Sequence, residues 1–162
     1  MKNTLKVMTP TDREIVITRS FNAPRQLVWD TMSKPELLKR WLFGSPGWEM
    51  TVCEEDARVG GKFRWEWKGP EGVGMVMTGV YREIIAPERA VRTEMFETGC
   101  IPQGGEQLAT MVLTEHGEKT TMTLTVLYPS NEARDGAAAS GMEHGMAAGY
   151  DRLDEILEVV AV

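Results

Sequence analysis

The sequence predicts an α+β fold in which a curved, seven-stranded antiparallel sheet wraps around a long C-terminal helix, with two short helices between strands 1 and 2. Three observations predict it. Apolar and polar side chains alternate with period 2 from Trp48 to Tyr128, interrupted only by turn signals. Met142, Met146, Tyr150, Leu153 and Leu157 recur at spacings of four, four, three and four, the pattern of one amphipathic helix face. Sequential strands joined by short loops pair antiparallel, and the apolar face they form must be covered by another element. Only the C-terminal helix is long enough to cover it.

Residues 1–13 are polar and Thr-rich with Pro10, and read as an N-terminal tail; residues 14–162 read as a single domain. The β-branched run Ile15-Val16-Ile17-Thr18 makes Glu14–Phe21 the first strand. Asn22 and Pro24 then start a helix, with Leu27, Val28 and Met32 close to one face. Ser33-x-x-Glu36 has the form of a capping box and predicts a second helix with Leu37, Leu38 and Trp41 on its apolar side. The turn Gly44-Ser45-Pro46-Gly47 ends it. Six strands follow, near Trp48–Glu54, Lys62–Lys68, Gly74–Ile84, Ala90–Glu97, Glu106–Glu115 and Lys119–Tyr128. Ser130 is the expected N-cap of the C-terminal helical region. Gly136 and Gly141 weaken its beginning, so residues 131–140 form a separate turn or a kinked leader.

Composition excludes several functions. With 42% hydrophobic and 26% charged residues, the 162-residue chain can fill one core and wet its surface. Its longest apolar runs, such as Met75–Met77 and Val159–Val162, fall far short of the roughly 20 residues of a membrane-spanning helix. A net charge of -6 without a basic stripe argues against nucleic acid and anionic membranes as partners. The start Met-Lys-Asn-Thr-Leu-Lys lacks the apolar core of a secretory signal, which gives a cytoplasmic expectation. Cys53 and Cys100 have no C-x-x-C partner and are expected as free thiols. With only His116 and His144, a multi-histidine metal site is excluded; both read as solvated, and no metal or other cofactor is expected. Phosphate-loop, dinucleotide and nucleophile-elbow motifs are absent.

The residues that remain point to a cavity. Trp41, Phe43, Trp48, Phe63, Trp65 and Trp67 lie within 27 positions, and Phe63, Trp65 and Trp67 alternate with Arg64, Glu66 and Lys68, placing three rings on one face of one strand. They are either an aromatic core or the wall of a ligand cavity in which indole N–H groups fix orientation. Eleven methionines, among them Met75 and Met77, add side chains that adapt to irregular shapes. Gly141, Gly145 and Gly149 form a side-chain-free strip on the helix, open to tight packing on the sheet, to a ligand, or to a partner helix. The expected cavity lining outside the C-terminal helix is Trp41, Trp65, Trp67, Met95, Met111 and Met122. From the helix it is Met142, Gly145, Met146, Gly149 and Tyr150. Glu54-Glu55-Asp56 and Asp154-Glu155 are expected to be solvated. Glu66, Glu94 and Tyr81 would reach the cavity only if their strands had the opposite parity.

Four segments carry a family resemblance: Arg19-Ser20-Phe21-Asn22-Ala23-Pro24-Arg25-Gln26-Leu27-Val28-Trp29-Asp30, Lys34-Pro35-Glu36-Leu37-Leu38-Lys39-Arg40-Trp41, Asp56-Ala57-Arg58-Val59-Gly60-Gly61-Lys62-Phe63-Arg64, and Gly149-Tyr150-Asp151-Arg152-Leu153-Asp154-Glu155-Ile156-Leu157. From about Glu14 to Leu157 the chain resembles the activator of heat shock protein 90 ATPase homologue family, within the START-like (SRPBCC) superfamily of helix-grip, Bet v-type domains. The resemblance implies that fold and a cavity between sheet and C-terminal helix, but no fixed catalytic residues. The superfamily includes lipid and hormone binders as well as polyketide cyclases and aromatases. In the eukaryotic co-chaperone a chaperone-docking domain precedes the matching domain, and here residues 1–13 precede the first strand. The leading expectation is therefore a binder of a hydrophobic or aromatic small molecule, as a monomer or homodimer. A co-chaperone-like interaction module with a chaperone as partner and a polyketide cyclase-like enzyme are the alternatives.

Overall fold

The computed structural model describes residues 4–43, 46–98 and 105–160, the last without its side chain. In chain order these form β1 (Lys6–Met8), β2 (Glu14–Phe21), α1 (Arg25–Ser33), α2 (Pro35–Leu38), β3 (Glu49–Glu55), β4 (Lys62–Lys68), β5 (Gly74–Ile85), β6 (Arg89–Thr98), β7 (Gln107–His116), β8 (Lys119–Leu127), α3 (Asn131–Ala139) and α4 (Met142–Val160). The strands make one antiparallel sheet in the order β1-β2-β8-β7-β6-β5-β4-β3. It has eight strands among the described residues, not the expected seven. The additional one is β1, inside the stretch read as a tail, where Lys6 to Met8 pair with Thr18 to Val16.

The sheet curves because it contains bulges. Tyr81 faces Arg92 while Glu83 faces Val91, so Arg82 is an extra residue in β5, and further register shifts lie at Val76/Met77 and Met50/Val52. The Arg82 bulge inverts the side-chain alternation of β5: Met75, Met77 and Tyr81 face inward before it and Ile84 after it.

The two short helices follow β2 as expected, but their junction differs. Lys34 is the N-cap of α2, with Pro35 in its first turn and no capping bond from a side chain. Ser33 Oγ instead bonds back to the Trp29 carbonyl, four residues earlier in α1. No capping box forms. At the other end Ser130 does cap α3, its Oγ accepting from the Ala133 N–H at 3.0 Å. Gly141, at φ +85°, then separates α3 from α4 with a conformation that glycine adopts without a Cβ penalty.

Two apolar clusters result. The larger joins β2, β7 and β8 to α1 and α4 through side chains such as Ile17, Val28, Leu113, Met122 and Leu153. The smaller is aromatic and sits on β4 and β5: Phe63, Trp65, Trp67, Met77 and Tyr81. Between them the concave sheet and α4 do not meet completely.

Candidate functional site

The gap is a cavity of about 410 Å³. Its walls come from both clusters: Trp65, Trp67 and Met77 on one side, Met122, Leu124 and Val126 on the other. The helical side is supplied by Met142, Gly145, Met146, Gly149 and Tyr150, and Trp41 and Met111 also line it. Met95 does not. It lies 40% exposed on the opposite face of β6, because the inward residues of that strand are Ala90, Arg92, Glu94 and Phe96. Strand β6 carries apolar side chains on both faces, so alternation alone does not select between them; the mutual pairing of Arg92 and Glu94 is what allows two charges to turn inward.

The glycine strip divides by position. Gly141 breaks the helix. A Cβ at Gly149 would stand 3.2 Å from the Trp41 carbonyl oxygen, so there the helix is packed tightly against backbone. Gly145 faces the cavity.

The indole N–H groups expected to orient a ligand are taken by the protein. Trp41 Nε1 donates to Thr31 O at 3.0 Å, Trp67 Nε1 to Leu42 O at 2.5 Å, and Trp65 Nε1 to Glu55 Oε1 at 3.0 Å. Glu55 is therefore not merely solvated as its acidic neighbours suggest; Tyr81 Oη also donates to it, at 2.5 Å. Burial raises the Glu55 pKa above the ordinary carboxylate value, partly offset by the bonds from Tyr81 and Trp65 and by the charge of Arg92. Glu66 keeps the outward parity and pairs with Arg64 at 2.6 Å.

The polar part of the wall comes from residues that alternation did not single out. Arg92 Nε donates to Glu94 Oε2 at 2.8 Å, and Gln107 Nε2 donates to Glu94 Oε1 at 2.9 Å. Glu94 and Gln107 are directly opposed in the β6–β7 register. The Arg92 guanidinium lies over the Trp65 ring at 4.9 Å and the Phe63 ring at 5.5 Å. Burial opposes its charge, but Glu94, Tyr81 and Glu55 together more than offset that and the pKa rises. The sequence signal was available: Arg92-x-Glu94 puts opposite charges two apart on one strand face, with Gln107 across from the second.

Three tyrosines complete the wall. Burial raises the pKa of Tyr81 and of Tyr128, and pushes Tyr150 up to about 12. All three therefore remain neutral phenols at physiological pH. Tyr128 Oη has only a long contact to Met142 Sδ, 3.9 Å. Tyr150 stacks on Trp41 with centroids 5.6 Å apart and meets Phe21 edge-on at 5.8 Å. His116 and His144 are both exposed, away from the cavity lining. Among the described residues no group of three or more His, Cys, Asp or Glu is placed to hold a metal ion. Cys53 carries a free thiol that burial and nearby Glu55 push up to about 11, while Cys100 lies outside the described residues.

Residues 22–158 match the family model described as Activator of Hsp90 ATPase homolog 1-like protein. The chain belongs to this family. Solved structures agree with the assignment. A protein from Rhodobacter sphaeroides superimposes with a TM-score of 0.89 at 32% identity, over 96% of this chain and 99% of that one. A solution structure from Arthrobacter aurescens gives 0.82 at 28% identity, over 95% and 91% of the two chains. DynU16, a protein of the dynemicin biosynthetic locus, shares the fold at a TM-score of 0.65 and 22% identity, over 92% of this chain and 48% of its own. No curated protein matches. The helix-grip architecture described above is the one these structures share, a fold consistent with a small ligand-binding domain.

Proposed function

We propose that the protein binds a hydrophobic small molecule in the cavity between the sheet and α4. The observation that carries this reading is the cavity itself: about 410 Å³, within the size range of small-molecule sites, with a mostly apolar wall that two separate clusters hold apart. Methionines from β7, β8 and α4 give that wall the adaptability to close on an irregular guest. Among the described residues the large exposed apolar side chains, Met8, Val59, Val73, Ile85, Met95 and Val159, are spread over separate segments, whereas the cavity concentrates apolar surface in one place. That favours a small molecule over a chaperone surface as the partner.

An enzymatic reading of cyclase type has one observation in its favour, the Tyr81–Glu55 hydrogen bond behind the cavity wall. It requires Tyr81→Phe to abolish a reaction while ligand uptake persists.

The binding reading is tested by titration with the neutral fluorophore N-phenyl-1-naphthylamine. Saturable binding at one molecule per chain is expected, together with at least a tenfold loss in Gly145→Leu, whose side chain would fill the space beside α4. Absence of saturable binding, or uptake by a folded Gly145→Leu variant equal to that of the unsubstituted protein, would overturn it.

A further inference from the structure

The cavity wall holds a phenol hydroxyl that its neighbours do not engage. Glu94 is 5% exposed, and both of its carboxylate oxygens are occupied, one by Arg92 and one by Gln107. Arg92 and Glu94 neutralise each other. An ionised ligand, of either sign, would have to leave water for a site whose own charges are already matched. Tyr150 is different. It is 6% exposed, it lines the cavity, and among the described residues its hydroxyl has no hydrogen-bond partner. A guest that covers this hydroxyl without offering an acceptor deprives it of its bonds to water, which is unfavourable. Its ring cannot turn away freely, since Trp41 and Phe21 pack against it. Tyr128, also in the wall, has nothing shorter than its 3.9 Å sulfur contact.

We infer that the cavity selects uncharged molecules bearing a hydrogen-bond-accepting oxygen, as in a ketone or ester, and that the Tyr150 hydroxyl is the specificity-determining donor to that oxygen. This rests on the proposed cavity binding and adds the polarity and charge of the guest. A neutral oxygen satisfies the Tyr150 donor and leaves the Arg92–Glu94–Gln107 group undisturbed. A hydrocarbon fills the space but leaves the hydroxyl unpaired. A carboxylate satisfies the hydroxyl but gives up its hydration beside a charge pair that is already matched.

Three probes of one size separate these cases: 2-acetylnaphthalene, 2-ethylnaphthalene and 2-naphthoate, titrated calorimetrically against the full chain and against Tyr150→Phe. The phenylalanine keeps the ring and its packing. Its loss of one hydrogen bond is expected to weaken the ketone about tenfold while the hydrocarbon changes less than twofold. In the unsubstituted protein the naphthoate is expected to bind at least tenfold more weakly than the ketone. The infrared carbonyl band of the bound ketone, measured on the unsubstituted protein, is expected at lower frequency than in hydrocarbon solvent. That last measurement does not depend on the variant folding. Equal effects of Tyr150→Phe on ketone and hydrocarbon, an unshifted carbonyl band, or naphthoate binding as tight as the ketone would each overturn the inference and leave the cavity-binding reading standing. Failure of all three probes to bind would overturn both.

Discussion

Glu55 shows how a single residue can make stability depend on pH in the unusual direction. It lies at the end of β3, accepts hydrogen bonds from Trp65 and Tyr81, and has its pKa raised mainly by burial. A carboxyl whose folded pKa lies above its unfolded value contributes stability that is complete below the unfolded value of 4.5 and is lost as pH rises through the folded one. The melting temperature of the unsubstituted protein relative to Glu55→Gln is therefore expected to be highest below pH 4.5 and to decline above it. Melting curves of both proteins from pH 4 to pH 8 check this. A difference that grows with pH would show that the bonds from Tyr81 and Trp65 outweigh burial.

At the scale of elements, α4 is fixed to the sheet by a charged contact beneath its apolar stripe. Arg19 of β2 has a side chain only 1% exposed and donates through Nη2 to Asp151 at 3.0 Å and Asp154 at 2.6 Å. Nη1 donates to the Ser20 carbonyl, and the guanidinium lies 4.9 Å from the Phe21 ring centre. Arg19→Met keeps most of the volume but leaves two acidic side chains facing a buried thioether. A loss of roughly 1–3 kcal/mol is expected, because the charge-assisted bonds of a buried guanidinium are lost while the aspartates keep part of their hydration. Urea unfolding measures it, and a loss below 1 kcal/mol would mean that the aspartates simply turn to solvent. The sequence did not reveal this contact. Asp154-Glu155 reads as part of a solvated helix face, and only when the two elements are brought together does Arg19, on the same strand face as Ile15, Ile17 and Phe21, meet it.

At the scale of the whole molecule, ligand binding and folding are linked. A guest at a hundred times its dissociation constant stabilises the folded state by about 2.7 kcal/mol, which for a domain of this size is a rise of roughly 5–10 °C in melting temperature. Differential scanning fluorimetry with 2-acetylnaphthalene at saturation is expected to show it, and an unmoved transition would count against occupation of the cavity. The architecture itself was legible because it depends on long runs: the seven strands β2 to β8 each span at least seven residues, and the stripe from Met142 to Leu157 repeats its pattern several times. What was not legible was short or ambiguous. Strand β1 is three residues long and offers no alternation to read. Ser33 and Glu36 have the spacing of a capping box, but Pro35 gives the following turn its own start and Ser33 finds a carbonyl within α1. On β6 the apolar pair Val91 and Met95 on one face competes with Ala90 and Phe96 on the other, so Met95 was placed inside and Glu94 outside. That inversion hid the inward-facing Arg92 and Glu94.

The extra residue at Arg82 sets where the chain can change length. Tyr81 and the residues before it owe their inward direction to the odd count that Arg82 introduces between them and Ile84. Deleting Arg82 while the end of β5 stayed in register would rotate the preceding stretch by half a pleat, sending Met75, Met77 and Tyr81 to the outer face and their neighbours into the cavity. The same deletion in the turn at Pro70–Gly72 would alter only the connection between β4 and β5. Insertions and deletions compatible with an intact cavity are thus confined to the turns, and the middle of this sheet is fixed in length to the single residue.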